Sequence, residues 1–163
     1  MIKQFIPQEF CLKCQACCRF LEADSVWSPC LLDEEIQDLL DKKIPSVSIS
    51  SQRRIQPMPN PEKEGFICPF LNMEDNKCRI YGLRPFECQL YPFLISMRDN
   101  KIILTVDLNC PYVKDNLKSK EFKDYTQYLT AFLNSAKQKE ILKDNPQIIQ
   151  AYEEVLDVIE LKI

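Results

Sequence analysis

Apolar positions recur with a helical period in three stretches of this chain and in short strand-like runs in four. Residues 33–43 (DEEIQDLLDKK) place Ile36, Leu39 and Leu40 on one face. Asp33, Glu34 and Glu35 fall in the first turn and Lys42 and Lys43 in the last, charges that complement a helix dipole. Phe122, Tyr125, Leu129, Phe132, Leu133 and Ala136 repeat at i, i+3, i+4 spacing, and Ile148, Ile149, Tyr152, Val155, Leu156 and Ile159 do so again beyond Pro146. The spacing predicts two amphipathic helices, over 118–142 and 146–161, whose apolar stripes pack on the rest of the chain.

The strand-like runs are 66–71, 77–81, 93–98 and 101–106. The first two flank Glu74-Asp75-Asn76, a turn-like stretch; the last two flank Asp99-Asn100, a pair that accepts the positive φ of a tight hairpin, though less readily than glycine. Pro45, Pro57, Pro59 and Pro61 make 44–64 a loop or extended segment. After Cys110-Pro111 no cysteine follows and helix formers dominate. The expectation is an α+β fold. Residues 1–115 would form a small cysteine-rich, metal-centred domain with short hairpins and one short helix, and 116–163 a pair of amphipathic helices packed on it.

Composition narrows the function. The formal net charge of −3 lacks the basic excess that nucleic acid or anionic lipid attracts. Met1–Phe10 has no apolar core of a secretory signal, and no stretch approaches the roughly 18 apolar residues of a membrane span. A cytoplasmic setting follows as the expectation, with thiols reduced or metal-bound rather than paired as disulfides. Gly65 and Gly82 are the only glycines, so there is no Gly-rich phosphate loop. The residues name no substrate, no protein or small-molecule partner and no oligomeric state.

Against this plain background the chain carries nine cysteines and no histidine. Four stand in a C-x2-C-x2-C-C run, Cys11, Cys14, Cys17 and Cys18; Cys68, Cys78, Cys88 and Cys110 are dispersed. An odd count fits a disulfide framework poorly. Thiolates are soft donors that select zinc, Cu(I) or iron–sulfur clusters. Zinc takes four in a tetrahedron, and a 4Fe–4S cube takes one per iron. The run departs from the bacterial ferredoxin spacing, because position 21 is leucine and Cys18 follows Cys17 directly. Further ligands must therefore come from afar. The eight patterned cysteines are the candidate metal ligands, enough for two tetrathiolate centres or for one with thiols to spare. Cys30, alone and outside the pattern, reads as a buried side chain.

The segments CLKCQACC at 11–18 and ICPFLNMEDNKCRIYGLRPFECQLYPF at 67–93 resemble the YkgJ-type cysteine-cluster family. That family is described as a zinc- or iron-chelating domain with a C-x2-C-x2-C-C signature and a second block like C-P-F-L…C-x-I-Y-x-x-R-P-x-x-C-x-x-Y-P. The second block falls here on Cys68, Pro69, Phe70, Leu71, Cys78, Ile80, Tyr81, Arg84, Pro85, Cys88, Tyr91 and Pro92. Gln15 replaces a glycine common in the family, and Gly82 an acidic residue; neither is a ligand position. A longer flagellin lysine-N-methylase is similar in this region and is associated with an iron–sulfur cluster and S-adenosylmethionine. The resemblance thus implies an iron–sulfur cluster, 4Fe–4S, in a redox or S-adenosylmethionine-linked modification role, with a non-enzymatic zinc-binding structural or interaction module as the alternative. Arg84 reads as a group donating toward cluster sulfur, or else as an ion-pair partner of Glu87; Tyr81 and Tyr91 read as packing around the site.

Overall fold

A computed structural model describes residues 2–14 and 16–163. Two antiparallel three-stranded sheets and six α-helices make it an α+β fold. The chain divides into two compact units, residues 7–89 and residues 2–6 with 90–163. Among the described residues no helix is long and apolar enough to cross a membrane.

In residues 7–89 the regular elements are short. Helix α1 (Gln8–Cys14) starts beside Pro7, whose carbonyl accepts from Phe10 and Cys11 N–H. Strand β1 (Arg19–Phe20) follows, then helix α2 (Asp33–Asp41), the helix expected over 33–43. A 3-10 turn at Ser46–Ser48 and strand β2 (Met58–Pro59) punctuate the proline-rich segment. Strand β3 (Phe66–Ile67) lies between β1 and β2. The runs 66–71 and 77–81 therefore do not form the expected pair of strands. They touch through one bridge, Leu71 to Cys78, and a 3-10 turn occupies Tyr81–Leu83. Proline and polar residues deny this region long ladders, so packing replaces them: Leu31, Leu39, Ile55, Phe70 and Ile80 form a buried cluster. Each such side chain stabilises by about 1.5–3 kcal/mol. Cys68 and Cys78 pack against this cluster. Helix α3 (Phe86–Leu90) begins in this unit, whose last residue is Gln89.

The other unit is built on longer elements. Strands β4 (Phe93–Arg98) and β5 (Lys101–Asp107) form the expected hairpin, Phe93 opposite Val106 through Arg98 opposite Lys101. Its turn residues Asp99 and Asn100 have φ of 46° and 62°. Both values are left-handed, as a type I′ turn requires. Helix α4 (Pro111–Asn116) takes Pro111 in its first turn, where the missing N–H is harmless. The apolar repeat over 118–142 makes two helices rather than one, α5 (Lys120–Leu133) and α6 (Ala136–Asp144). The break falls at Asn134-Ser135: the Ser135 side chain accepts from Gln138 N–H and restarts the helix, as Ser119 does from Phe122 N–H at the start of α5.

The helix expected over 146–161 is not there. Pro146–Ile148 is a 3-10 turn, and strand β6 (Val155–Glu160) pairs antiparallel with β5. Val155, Val158 and Ile159 are β-branched and fit a pleated edge, and β5 offers an open ladder that a surface helix would leave unpaired. Leu156 and Ile159, two members of the supposed buried stripe, are more than two-fifths exposed.

Candidate metal centre

Seven of the eight patterned cysteines lie in residues 7–89, and each is set by a different local device. Cys11 and Cys14 stand three apart on α1, so one helix face carries both. The chain then turns, with Arg19 N–H bonding to Ala16 carbonyl, and Cys17 and Cys18 lead into β1. The Cys68 N–H donates to the Cys18 carbonyl at 2.9 Å, which extends the β1–β3 pairing and brings these two cysteines side by side. The Leu71 N–H bonds to the Cys68 carbonyl, and the Leu71–Cys78 bridge returns the chain beside it. Cys88 rides on α3.

Two carboxylates fix the segment before and around Cys88. Glu35 on α2 accepts from Phe86 N–H at 2.5 Å and from Leu32 N–H at 2.9 Å. Glu87, buried, accepts from Cys30 N–H at 2.6 Å. Bonds from backbone N–H to an ionised carboxylate are the stronger kind. The sequence hides both roles, since glutamate is usually solvent-facing; the one legible signal is the position of Glu35 three residues into a helix that follows apolar Leu31-Leu32.

The thiols are near enough to perturb one another. The S–H of Cys17 donates to Cys18, and that of Cys18 to Cys68. Losing this donated bond, followed by crowding from surrounding protein atoms and the charge of Cys18, holds the Cys17 thiol well above the ordinary range, although the residue as a whole is exposed. At Cys18 the bond received from Cys17 acts downward, but the bond given to Cys68, burial, and repulsion from Cys68 and Cys78 leave it at about 12. Partial desolvation of the sulfur, then repulsion from Cys17 and Cys14, pushes Cys11 up to about 11, although the residue as a whole is exposed. Burial comes first at Cys88, which is held well above the usual range with Cys18, Cys17 and Cys78 adding to it, and first again at Cys78, which is also raised. Thiols so arranged resist ionising together unless a cation joins them.

Arg84 supplies part of that positive charge and acts downward on Cys11, Cys17 and Cys78. Its guanidinium carbon stands 3.9 Å from the Tyr81 ring centroid. Its Nε and Nη2 are buried and meet no acceptor among the described residues. An orphaned buried donor costs about 1–3 kcal/mol, so these two favour an acceptor held among the thiols. The donor set therefore fits a thiophilic metal or cluster. Among the described residues, however, no three Cys, Asp or Glu side chains are already disposed to grip an ion. Binding thus takes side-chain adjustment and loss of the S–H protons that now bridge sulfur to sulfur.

Two cysteines stand apart. Cys110 lies in the other unit, buried at the start of α4 with its N–H on the Asp107 carbonyl. Cys30 is buried at 1% exposure, as its isolation in the sequence suggested, and burial followed by the Glu87 charge lifts its thiol to about 11. Tyr91, read as packing, also donates from its hydroxyl to Asp107 at 2.9 Å.

An uncharacterized protein of Methanocaldococcus jannaschii is 42% identical over 41 residues, a stretch that takes in 25% of this chain and 22% of that protein. No solved structure matches the chain. A family model, CxxCxxCC, with the description "Putative zinc- or iron-chelating domain", matches residues 10–128. That span holds all nine cysteines and most of the chain, and with the thiol cluster it leads to one conclusion: this protein belongs to the CxxCxxCC family of metal-chelating domains.

Proposed function

We propose that residues 7–89 bind an iron–sulfur centre, of the 4Fe–4S type, through the thiolates of Cys11, Cys14, Cys17, Cys18, Cys68, Cys78 and Cys88, and that the protein works in redox or S-adenosylmethionine-linked chemistry in the cytoplasm. The observation that carries this is the mutual influence of the Cys17, Cys18, Cys68, Cys78 and Cys88 thiols beside Arg84, whose buried Nε and Nη2 meet no acceptor among the described residues. Seven thiols exceed the four of one zinc tetrahedron. Cys18, Cys68, Cys78 and Cys88 serve as a four-thiolate set, supported by the interactions among them. Cys11, Cys14 and Cys17 serve as a three-thiolate set, the kind that leaves a coordination position open for a reactant. Cys110 stays the eighth candidate ligand. When bound, a cluster supplies one-electron chemistry. The chain's own part is to hold the thiolates, shield them, and donate from Arg84 toward sulfur.

The test is purification without oxygen, followed by absorption spectroscopy and assays of iron, zinc and acid-labile sulfide. Brown protein with iron and sulfide in comparable amounts is expected, and Cys18→Ser or Cys68→Ser should bleach it. A colourless preparation with stoichiometric zinc and no sulfide would overturn the iron–sulfur reading in favour of a structural zinc module.

A further inference from the structure

The unit formed by residues 2–6 and 90–163 carries a cleft that the metal chemistry leaves unused. It is a half-open groove of about 300 Å3, at the lower end of small-ligand sites. Its wall is aromatic, made by Phe5, Tyr112, Tyr125 and Tyr128. Ring centroids are 5.4 Å apart for Phe5–Tyr112, 5.3 Å for Phe5–Tyr125 and 5.6 Å for Tyr125–Tyr128, so the rings pack in one row, in which Tyr125 is buried and Tyr128 is exposed. Two carboxylates, Glu121 and Asp124, join it, with Lys3 and Gln4 at the rest of the lining. Helical spacing on α5 puts Glu121, Asp124, Tyr125 and Tyr128 on a single face.

The polar tips of two tyrosines are already engaged. The Tyr125 hydroxyl donates to the Lys3 carbonyl at 2.7 Å, and the Lys3 N–H donates to the Tyr128 hydroxyl at 3.2 Å. These bonds tie the strap of residues 2–6 to α5 and leave ring surface and carboxylate as the chemistry the cleft offers. Asp124 pairs with Lys120 at 2.7 Å, but both side chains are more than half exposed, and such a pair is weak and exchangeable. Lys3, the one cation of the lining, is itself exposed.

We infer that this cleft binds a small quaternary ammonium cation, its alkyl groups against the rings and its charge compensated by Glu121 and Asp124. Aromatic faces attract such a cation through their quadrupoles, and its weak hydration makes it easy to bury, whereas a metal ion or bare ammonium keeps its water. An anionic ligand would meet two carboxylates.

The experiment uses the full chain and choline, followed through the N-methyl resonance by saturation-transfer NMR, beside choline's neutral tert-butyl analogue. Saturable choline binding is expected, with the neutral analogue about tenfold weaker or more. Tyr128→Leu should weaken choline by a similar factor, Tyr128→Phe should leave it intact, and Glu121→Gln with Asp124→Asn should weaken it severalfold. Equal binding of the neutral analogue, no effect of the double carboxylate variant, or no saturable binding by folded wild-type protein would each overturn the proposal.

Discussion

Single residues hold the thiol cluster in place, and Glu35 is the most exposed to test. Burial lifts its carboxyl from about 4.5 to about 7, against the downward pull of the N–H bonds from Leu32 and Phe86. A raised carboxyl pKa means the folded state holds the proton more tightly than the unfolded state. Stability therefore falls as pH rises from about 4.5 to about 7, and the penalty is complete above that. Glu35→Gln removes this titration. Urea unfolding of both proteins at pH 5 and pH 8 should show the variant gaining on wild type at the higher pH, by on the order of 2–3 kcal/mol. Cys30 makes a second case. Its burial predicts that it alkylates more slowly than the exposed Cys11 in the native, metal-free protein at pH 8. Cys30→Ala should cost about 1 kcal/mol in stability and leave the bound metal unchanged, read by mass-mapped labelling and metal analysis.

At the scale of elements, the two glycines separate cleanly. Gly65 has φ of +97°, and a Cβ there would lie 2.9 Å from the Phe20 carbonyl oxygen, inside the β1–β3 pairing. Gly65→Ala should destabilise by on the order of 1–3 kcal/mol and weaken metal retention, because the same pairing seats Cys18 beside Cys68. Gly82 has nothing within 4 Å of its virtual Cβ, so Gly82→Ala should stay within about 0.5 kcal/mol of wild type. Thermal melts of both variants check the contrast. The β4–β5 hairpin was legible because Asp99-Asn100 separates two apolar runs of matched length, and α2 because its charges are ordered along it. Strand β6 was not, since a short apolar repeat fits either period and only the open side of β5 decides. Strands β1 to β3, two residues each, carry no periodicity at all; distant pairing defines them. Spacing and residue type, being local facts, made a candidate set of eight cysteines legible, of which seven lie in residues 7–89 and Cys110 lies in the other unit. The cluster's anchors Glu35 and Glu87 and the helical setting of Cys11 and Cys14 depend on long-range contacts.

On the scale of the whole molecule, the two units differ in what sustains them. Residues 7–89 hold two-residue strands, short helices and a modest apolar cluster, so a metal, once bound, is expected to contribute a large share of their stability. The other unit has strands of six and seven residues and fully buried Phe93, Leu104, Leu129, Leu133 and Leu142. Stripping metal with a chelator should therefore loosen the first and spare the second. Trp27, the sole tryptophan, lies in residues 7–89, so its emission should shift red on chelation while amide exchange in β4, β5 and α5 stays slow. The order of the chain adds a temporal consequence. The body built on the hairpin uses residues 2–6 as well as 90–163, so during synthesis its opening strap waits for partners still unmade. The thiol-bearing stretch is complete much earlier. Loading with metal can thus happen on the ribosome, while the rest of the polypeptide is being added, and scarcity of metal would be felt first by nascent chains.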